Sequence, residues 1–262
     1  MGRVSRYQSR HADNTATFST VDTLTSGSGA DTIVLTGTIA NASIDLGAGN
    51  ATLTLGNGTN SATVSNTETI TGGTGNDTIT LGTAFTTGMA VDLAGGANKL
   101  SLGAFTNTGT VSNVNTLIGG TAADTATLGV ATVNGSADLG TGSDTLQLAN
   151  FTNRISLTNT ATVMGGTGDD TIILTGSTSS MVVGGSGMNF VTGDAGADEF
   201  VFDQNLAGNV STVTNFSAAK GGTGLLWTPP RAAFLPPIPT TSAARHLSTT
   251  PTSRQWRMRQ RD

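Results

Sequence analysis

The chain has 262 residues and a formal net charge of −5, with no Cys, two His and 36 Gly, and only 11% of its residues are charged and 5% aromatic. The lack of Cys excludes disulfide bonds, thiolate metal sites and a Cys nucleophile, and the shortage of charged residues argues against a mixed α/β enzyme, because roughly a quarter of an average soluble domain is charged. No apolar run reaches the about 18 residues that a membrane-spanning helix needs, so we expect no membrane span.

The N-terminal segment, residues 1–16, precedes the repeats. Its first ten residues are basic, but no apolar segment follows them, so we predict a disordered lead without a cleavable secretory signal. Residues 11–220 then hold 16 acidic and three basic residues. An acidic body of this kind repels nucleic acid and attracts cations, which excludes nucleic acid as a partner.

A repeat of about 46 residues runs through residues 17–220. One segment occurs four times with this period, at 26–35, 72–81, 119–128 and 165–174. A second segment keeps the same period at 45–55, 92–102 and 138–148. Each copy joins a glycine-rich turn to a short strand in which polar and apolar residues alternate, as in Thr78-Ile79-Thr80-Leu81.

The turn-and-strand motif recurs in steps of about 20–26 residues, a length that suits one coil of a parallel β-helix. We therefore predict an all-β fold, a parallel β-helix or β-roll in which each 46-residue repeat forms two coils. The aliphatic residues of successive coils should stack into a core that no single coil could bury. The expected inward pairs are Ile33/Leu35, Leu53/Leu55, Ile79/Leu81, Leu100/Leu102, Leu146/Leu148 and Ile172/Leu174.

The glycine-rich turns match a known nonapeptide. Residues 72–80 and 165–173 read G-G-x-G-x-D-x-U-x without a mismatch, and two tandem nonapeptides occupy 184–201. In these segments the chain resembles the hemolysin-type calcium-binding (RTX) repeat family, and residues 213–217 resemble the segment that commonly follows the last such repeat. The resemblance implies a right-handed parallel β-roll with Ca²⁺ between stacked turns. It also implies type I-like secretion to an extracellular or cell-surface location.

The chemistry of the turns also favours calcium. Glycines permit positive φ and expose carbonyl oxygens, and an Asp stands where each turn enters its strand. Coils lie about 4.8 Å apart, so stacked carboxylates would flank a gap that suits a hard cation with oxygen ligands at about 2.3–2.6 Å. The candidate metal ligands are Asp77, Asp124, Asp144, Asp170 and Asp198, with the turn glycines Gly73, Gly75, Gly142, Gly166 and Gly168.

The predicted ligand series is incomplete. Its best run is expected to be Asp124, Asp144 and Asp170 as three successive acidic positions, whereas Ala51 and Asn98 interrupt the series elsewhere. A metal-free coil, in which these side chains cap the turns, therefore remains the alternative. A further periodic set is predicted to consist of solvated, outward charges: Asp45, Asp92 and Asp138.

Residues 221–262 depart from the repeat. All six prolines and both tryptophans lie there, with six Arg and one Asp. Because Pro cannot donate a hydrogen bond to a β-ladder, we predict an irregular, disordered tail. It is either a native basic tail or the product of a frameshift.

These features favour a non-enzymatic, calcium-binding structural or adhesive module of a secreted or cell-surface bacterial protein, or a fragment of a larger repeat protein. Its expected partners are calcium ions and cell-surface or matrix polysaccharide or other repeat modules. One alternative is a carbohydrate-active β-helix enzyme, although residues 11–220 contain no Tyr and only one His, His11, to act as a base. The other is an ice-binding β-helix, because Thr-x-Thr pairs such as Thr52/Thr54 face outward, although Thr suits exposed strands in any case.

Overall fold

The computed structural model of the protein describes residues 6–8, 12–203, 211–215, 226–228 and 256–257. Within these ranges every regular element is a β-strand, and no helix is long and apolar enough to cross a bilayer. The strands are β1 (Arg6–Gln8), β2 (Thr15–Phe18), β3 (Thr23–Thr25), β4 (Thr32–Leu35), β5 (Ala42–Asp45), β6 (Thr52–Thr54), β7 (Ser61–Ser65), β8 (Thr69–Thr71), β9 (Thr78–Leu81), β10 (Ala90–Asp92), β11 (Lys99–Ser101), β12 (Thr108–Ser112), β13 (Thr116–Gly120), β14 (Thr125–Leu128), β15 (Gly135–Gly140), β16 (Thr145–Gln147), β17 (Arg154–Thr158), β18 (Thr162–Met164), β19 (Thr171–Leu174), β20 (Met181–Val183), β21 (Phe190–Thr192), β22 (Glu199–Asp203), β23 (Thr212–Thr214), β24 (Leu226–Thr228) and β25 (Trp256–Arg257).

The strands form a parallel β-solenoid of about ten coils. The odd-numbered strands make one sheet, called sheet A, and the even-numbered strands make the other, sheet B. Neighbours within each sheet run parallel, except that β25 pairs with β23 antiparallel. One coil is therefore a strand of sheet A, a turn, a strand of sheet B and a second turn. The predicted all-β parallel solenoid is confirmed.

The core lies between the two sheets and follows from the alternation in each strand. In β9, Ile79 and Leu81 are buried, while Thr78 is exposed and Thr80 half-buried. Ile79 pairs with Ala62 in the coil before and with Leu100 in the coil after, so the apolar side chains form continuous columns. All twelve residues of the expected inward pairs are less than 5% exposed, which confirms the predicted core.

Each 46-residue repeat contains more coils than predicted. Residues that face each other in adjacent coils are 17 residues apart in the shortest coils, as for Asn60 and Asp77, and 22 apart for Thr192 and Thr214. The 46-residue repeat therefore spans five strands, or two and a half coils, instead of two coils. The strands that begin successive repeats, β4, β9, β14 and β19, consequently alternate between sheet B and sheet A.

Some of the described strands lie outside residues 17–220. Strand β1 and the first residues of β2 lie within residues 1–16, and strands β24 and β25 lie within residues 221–262. Strand pairing thus extends into both segments that were predicted to be irregular. The rest of those segments, apart from residues 12–14, lies outside the described residues.

Candidate cation site in two buried ladders

Two columns of polar side chains line the corners of the solenoid. Corner A comprises the turns that lead into sheet A, and corner B the turns that lead into sheet B. At most of these turns the residue before the strand is Asn, Asp or, twice, Ser, and points inward; each such position is called a rung. Ladder A contains Asn60, Asp77, Asn98, Asn115, Asn153, Asp170, Asn189 and Ser211, and ladder B contains Asn14, Asp31, Asn107, Asp124, Asp144, Ser180 and Asp198.

A regular hydrogen bond connects the rungs of each ladder. The backbone N–H of one rung donates to the side-chain oxygen of the rung in the next coil. In ladder A, Asn60 N donates to Asp77 Oδ1 at 2.9 Å, and Asp77 N donates to Asn98 Oδ1 at 2.9 Å. In ladder B, Asp124 N donates to Asp144 Oδ1 at 2.8 Å. The ladders thereby satisfy buried N–H groups at corners, where the sheets offer them no carbonyl.

An Asn rung also closes its own turn. The amide nitrogen of Asn60 donates to the carbonyls of Gly56 and Gly58 at 2.8 and 2.9 Å, and to Asp77 Oδ1 at 2.9 Å. The amide of Asn153 repeats these contacts, at 2.7 and 3.0 Å to carbonyls of its turn and 2.8 Å to Asp170. A single –NH₂ group therefore serves the oxygen-lined centre of the turn and the carboxylate of the next coil.

An Asp rung places an acceptor where the Asn rung places a donor. In Asp31 and Asp198 the second carboxylate oxygen has a donor within its own turn. Asp31 Oδ2 accepts from Ser26 Oγ at 2.5 Å, and Asp198 Oδ2 accepts from Asp194 N at 3.1 Å. The remaining Asp rungs have a buried Oδ2 without any hydrogen-bond donor: Asp77, Asp124, Asp144 and Asp170. A buried, unpaired carboxylate oxygen is costly, so these four positions require a proton, a water or a cation.

Burial changes the acidity of three of the rungs. Burial raises the pKa of Asp170 to about 6, although hydrogen bonds from Asn153 oppose the rise, and the Asp169 carboxylate adds to it. Burial likewise raises the pKa of Asp144, against the N–H of Asp124 and with a further increase from the Asp124 charge. The pKa of Asp198 is raised for the same main reason.

The predicted run of three acidic positions is wrong. Asp124 and Asp144 are neighbouring rungs of ladder B, but Asp170 precedes β19 of sheet A and belongs to ladder A, at the other corner. The error arose because five strands, an odd number, separate successive repeats. Asp77 also lies in ladder A, and Asp198 lies in ladder B beside Ser180.

The five predicted glycines serve the turns in two ways. Gly142 and Gly166 have positive φ, 153° and 86°. At Gly73, Gly75 and Gly168 the backbone of the preceding coil comes too close for any side chain. A Cβ on Gly75, for example, would lie 2.1 Å from that backbone. The carbonyls of Gly73 and Gly166 already accept N–H groups of the next coil at 3.0 Å.

No site in the described residues brings together three or more His, Cys, Asp or Glu side chains that could hold a metal. A cation at these corners would therefore be held by one or two carboxylates together with backbone carbonyl oxygens. All-oxygen coordination of this kind suits a hard cation such as Ca²⁺ better than a transition metal.

The predicted outward charges form a third, external set of contacts. Asp92 and Asp138 are exposed and Asp45 is half-buried. Each Oδ1 accepts an N–H two residues on and the amide of an Asn in the next coil, as in the 2.6 Å bond from Asn113 to Asp92. These Asn residues have φ of 52° to 57°, so the Asp stabilises a left-handed turn. An Asn follows each of these Asp residues by 21 positions. This spacing would have predicted the Asn–Asp contacts, but it was not used in the sequence-based prediction.

The outward Thr residues form only a partial array. Thr15, Thr32, Thr52 and Thr69 stack in register on the outer face of sheet B, but Ala90 and Asp92 interrupt the face in the next coil. A regular hydroxyl lattice along the whole solenoid is therefore absent from the described strands.

The resemblance to the RTX repeats rests on the turn motifs and on the solenoid, since no protein-family model, no curated protein and no solved structure matches the chain.

Proposed function

We propose that the chain is a calcium-binding structural or adhesive repeat module of a secreted or cell-surface protein. The observation that carries the proposal is the set of buried carboxylate oxygens that face glycine-rich turns without a donor. The acidic composition of residues 11–220 supports it, because 16 acidic groups face only three basic ones and repel one another without a counter-ion.

The location and the partners belong to the same proposal. The RTX-like nonapeptides support secretion. Cell-surface or matrix polysaccharide or other repeat modules would contact the outer faces of the sheets, where Thr and Ser hydroxyls predominate, as at Thr23, Ser43 and Thr63. The module is proposed to be non-enzymatic, because residues 11–220 contain no Tyr and only one His that could act as a general base.

Calcium should raise the thermal stability of the full-length chain. Because Ca²⁺ would bind only the folded coils, a concentration of 100 Kd stabilises the fold by about 2.7 kcal/mol per site. Mg²⁺ should substitute poorly, since it demands tighter octahedral coordination. Circular dichroism melting curves recorded in chelator, in Ca²⁺ and in Mg²⁺ measure this effect.

Two double variants test whether the ladders carry the response. Asp144→Ala with Asp170→Ala, one rung from each ladder, should remove most of the calcium effect whichever ladder binds the ion. Asp45→Ala with Asp92→Ala, which changes two outward carboxylates, should lower the baseline stability slightly and leave the calcium effect in place. Identical melting curves in chelator and in saturating Ca²⁺ for the unaltered chain would leave only a metal-free structural coil.

A further inference from the structure

The Asp rungs differ in what the preceding coil offers them. The preceding rung of Asp77 is Asn60 and that of Asp170 is Asn153, so each of these carboxylates receives two donors, a backbone N–H and an amide –NH₂, at 2.8 to 2.9 Å. The following rung is also Asn in both cases, Asn98 and Asn189, and it carries no charge. Within ladder A, each of these two carboxylates thus lies between two neutral amides.

Asp144 has a different neighbour. The preceding rung is Asp124, so Asp144 Oδ1 receives the backbone N–H at 2.8 Å but no amide –NH₂. In the next coil the corresponding residue is Ala161, before β18, which adds no polar side chain. Asp144 therefore lacks the donor that the Asn rungs supply elsewhere.

Asp124 and Asp144 are also two buried carboxyl groups in adjacent coils, and Asp124 Oδ1 accepts the backbone N–H and the amide of Asn107 at 3.1 and 2.8 Å. Both Asp residues are 0% exposed, and the Oδ2 atom of each has no donor. Adjacent coils are about 4.8 Å apart, and at that distance two like charges in a low-dielectric corner repel strongly. One divalent cation would neutralise both carboxylates and also supply the missing partner for both Oδ2 atoms.

We infer that the cation dependence of this solenoid is confined to the Asp124–Asp144 pair in ladder B. In the turns that match the nonapeptide best, 72–80 and 165–173, the Asp Oδ1 instead accepts an Asn amide from the preceding coil, and the neighbouring rungs carry no charge. The identity of the ion, Ca²⁺, rests on the proposed function. The inference adds the position of the site and the number of ions bound by each chain.

The test is calorimetric titration of the full-length chain with Ca²⁺ in metal-free buffer at neutral pH. We expect one ion per chain. Asp124→Asn should abolish this binding and raise the melting temperature in chelator towards the calcium-loaded value, because the new amide reproduces the contact of Asn60 and Asn153. Asp144→Asn should abolish binding as well, and it serves as the second variant if the first does not fold.

The matched controls are Asp77→Asn and Asp170→Asn, which make the same substitution at rungs with Asn neighbours. Both should retain one bound Ca²⁺ with an affinity within about twofold of the unaltered chain. Calcium binding that survives Asp124→Asn and Asp144→Asn, or that is lost in either control, overturns the inference and leaves the proposed function intact. No calcium binding by the unaltered chain overturns both.

Discussion

Replacing Ile79 by Asp is expected to unfold several coils around β9. Ile79 is fully buried and contacts Ala62 and Leu100 in the coils on either side. The loss of the aliphatic side chain costs about 2–5 kcal/mol, and an unpaired carboxylate in this column adds several kcal/mol. The sum is comparable to the about 5–15 kcal/mol that stabilises a whole domain. Because each coil of a solenoid is stabilised by its neighbours, the damage spreads beyond one coil.

The control is Thr80→Asp, one residue further along the same strand. Thr80 lies on the outer face between Thr63 and Ser101, where a new carboxylate remains hydrated, so we expect a change of about 0.5 kcal/mol or less. Urea unfolding followed by circular dichroism compares the two variants. Similar midpoints for Ile79→Asp and Thr80→Asp would contradict the inward orientation of Ile79.

The inward residues could be predicted because each strand determines its own two faces. The alternation Thr78-Ile79-Thr80-Leu81 assigns the buried side chains without knowledge of the neighbouring strands. The coil length could not be read in the same way. The prediction counted from one copy of the turn-and-strand motif to the next, and several turns lack that motif. One of them is the turn before β7, which ends in Asn60. The longer of the two predicted steps, as from Ala51 to Asp77, therefore covered three half-coils, and the alternation of the repeats between the two sheets was missed.

The candidate site was predicted in part. The sequence pointed to the Asp rungs, because an acidic residue that follows glycines at a strand entry is visible locally. Four Asn rungs were missed, although each of them lies 17 residues before an Asp and the pairs recur with the repeat: Asn14/Asp31, Asn60/Asp77, Asn107/Asp124 and Asn153/Asp170. Phe85 was missed as well. It fills the corner between β9 and β10 at 1% exposure, against Gly109, and its counterpart one repeat earlier is the buried Ile39; the N–H of each donates to the next rung, Asn107 or Asn60.

In the presence of chelator the protein should be more stable at about pH 4.5 than at about pH 7.5. The pKa of Asp170 is about 6 in the folded chain, against an ordinary value of 3.8. Between these values the folded state binds more protons than the unfolded state, so the free energy of unfolding falls as the pH rises through this window. The raised pKa values of Asp144 and Asp198 act in the same direction. Most proteins that carry ion-paired carboxylates show the opposite trend, because acid protonates groups that the fold holds ionised.

One substitution tests whether Asp170 causes this loss of stability between pH 4.5 and pH 7.5. For Asp170 the shift corresponds to on the order of 2 kcal/mol after allowance for solvent screening. Asp170→Asn removes the titrating group and keeps the side-chain oxygen that accepts from Asn153, so the stability of this variant should decline less between the two pH values. Asp92→Asn changes an exposed carboxylate on the outer face and should leave the decline unchanged. Urea unfolding at both pH values measures the decline in the free energy of unfolding for each variant. A stability that increases from pH 4.5 to pH 7.5 in chelator would mean that the buried carboxylates ionise without penalty, and a donor or cation other than the Asn amides would then have to accompany Asp170.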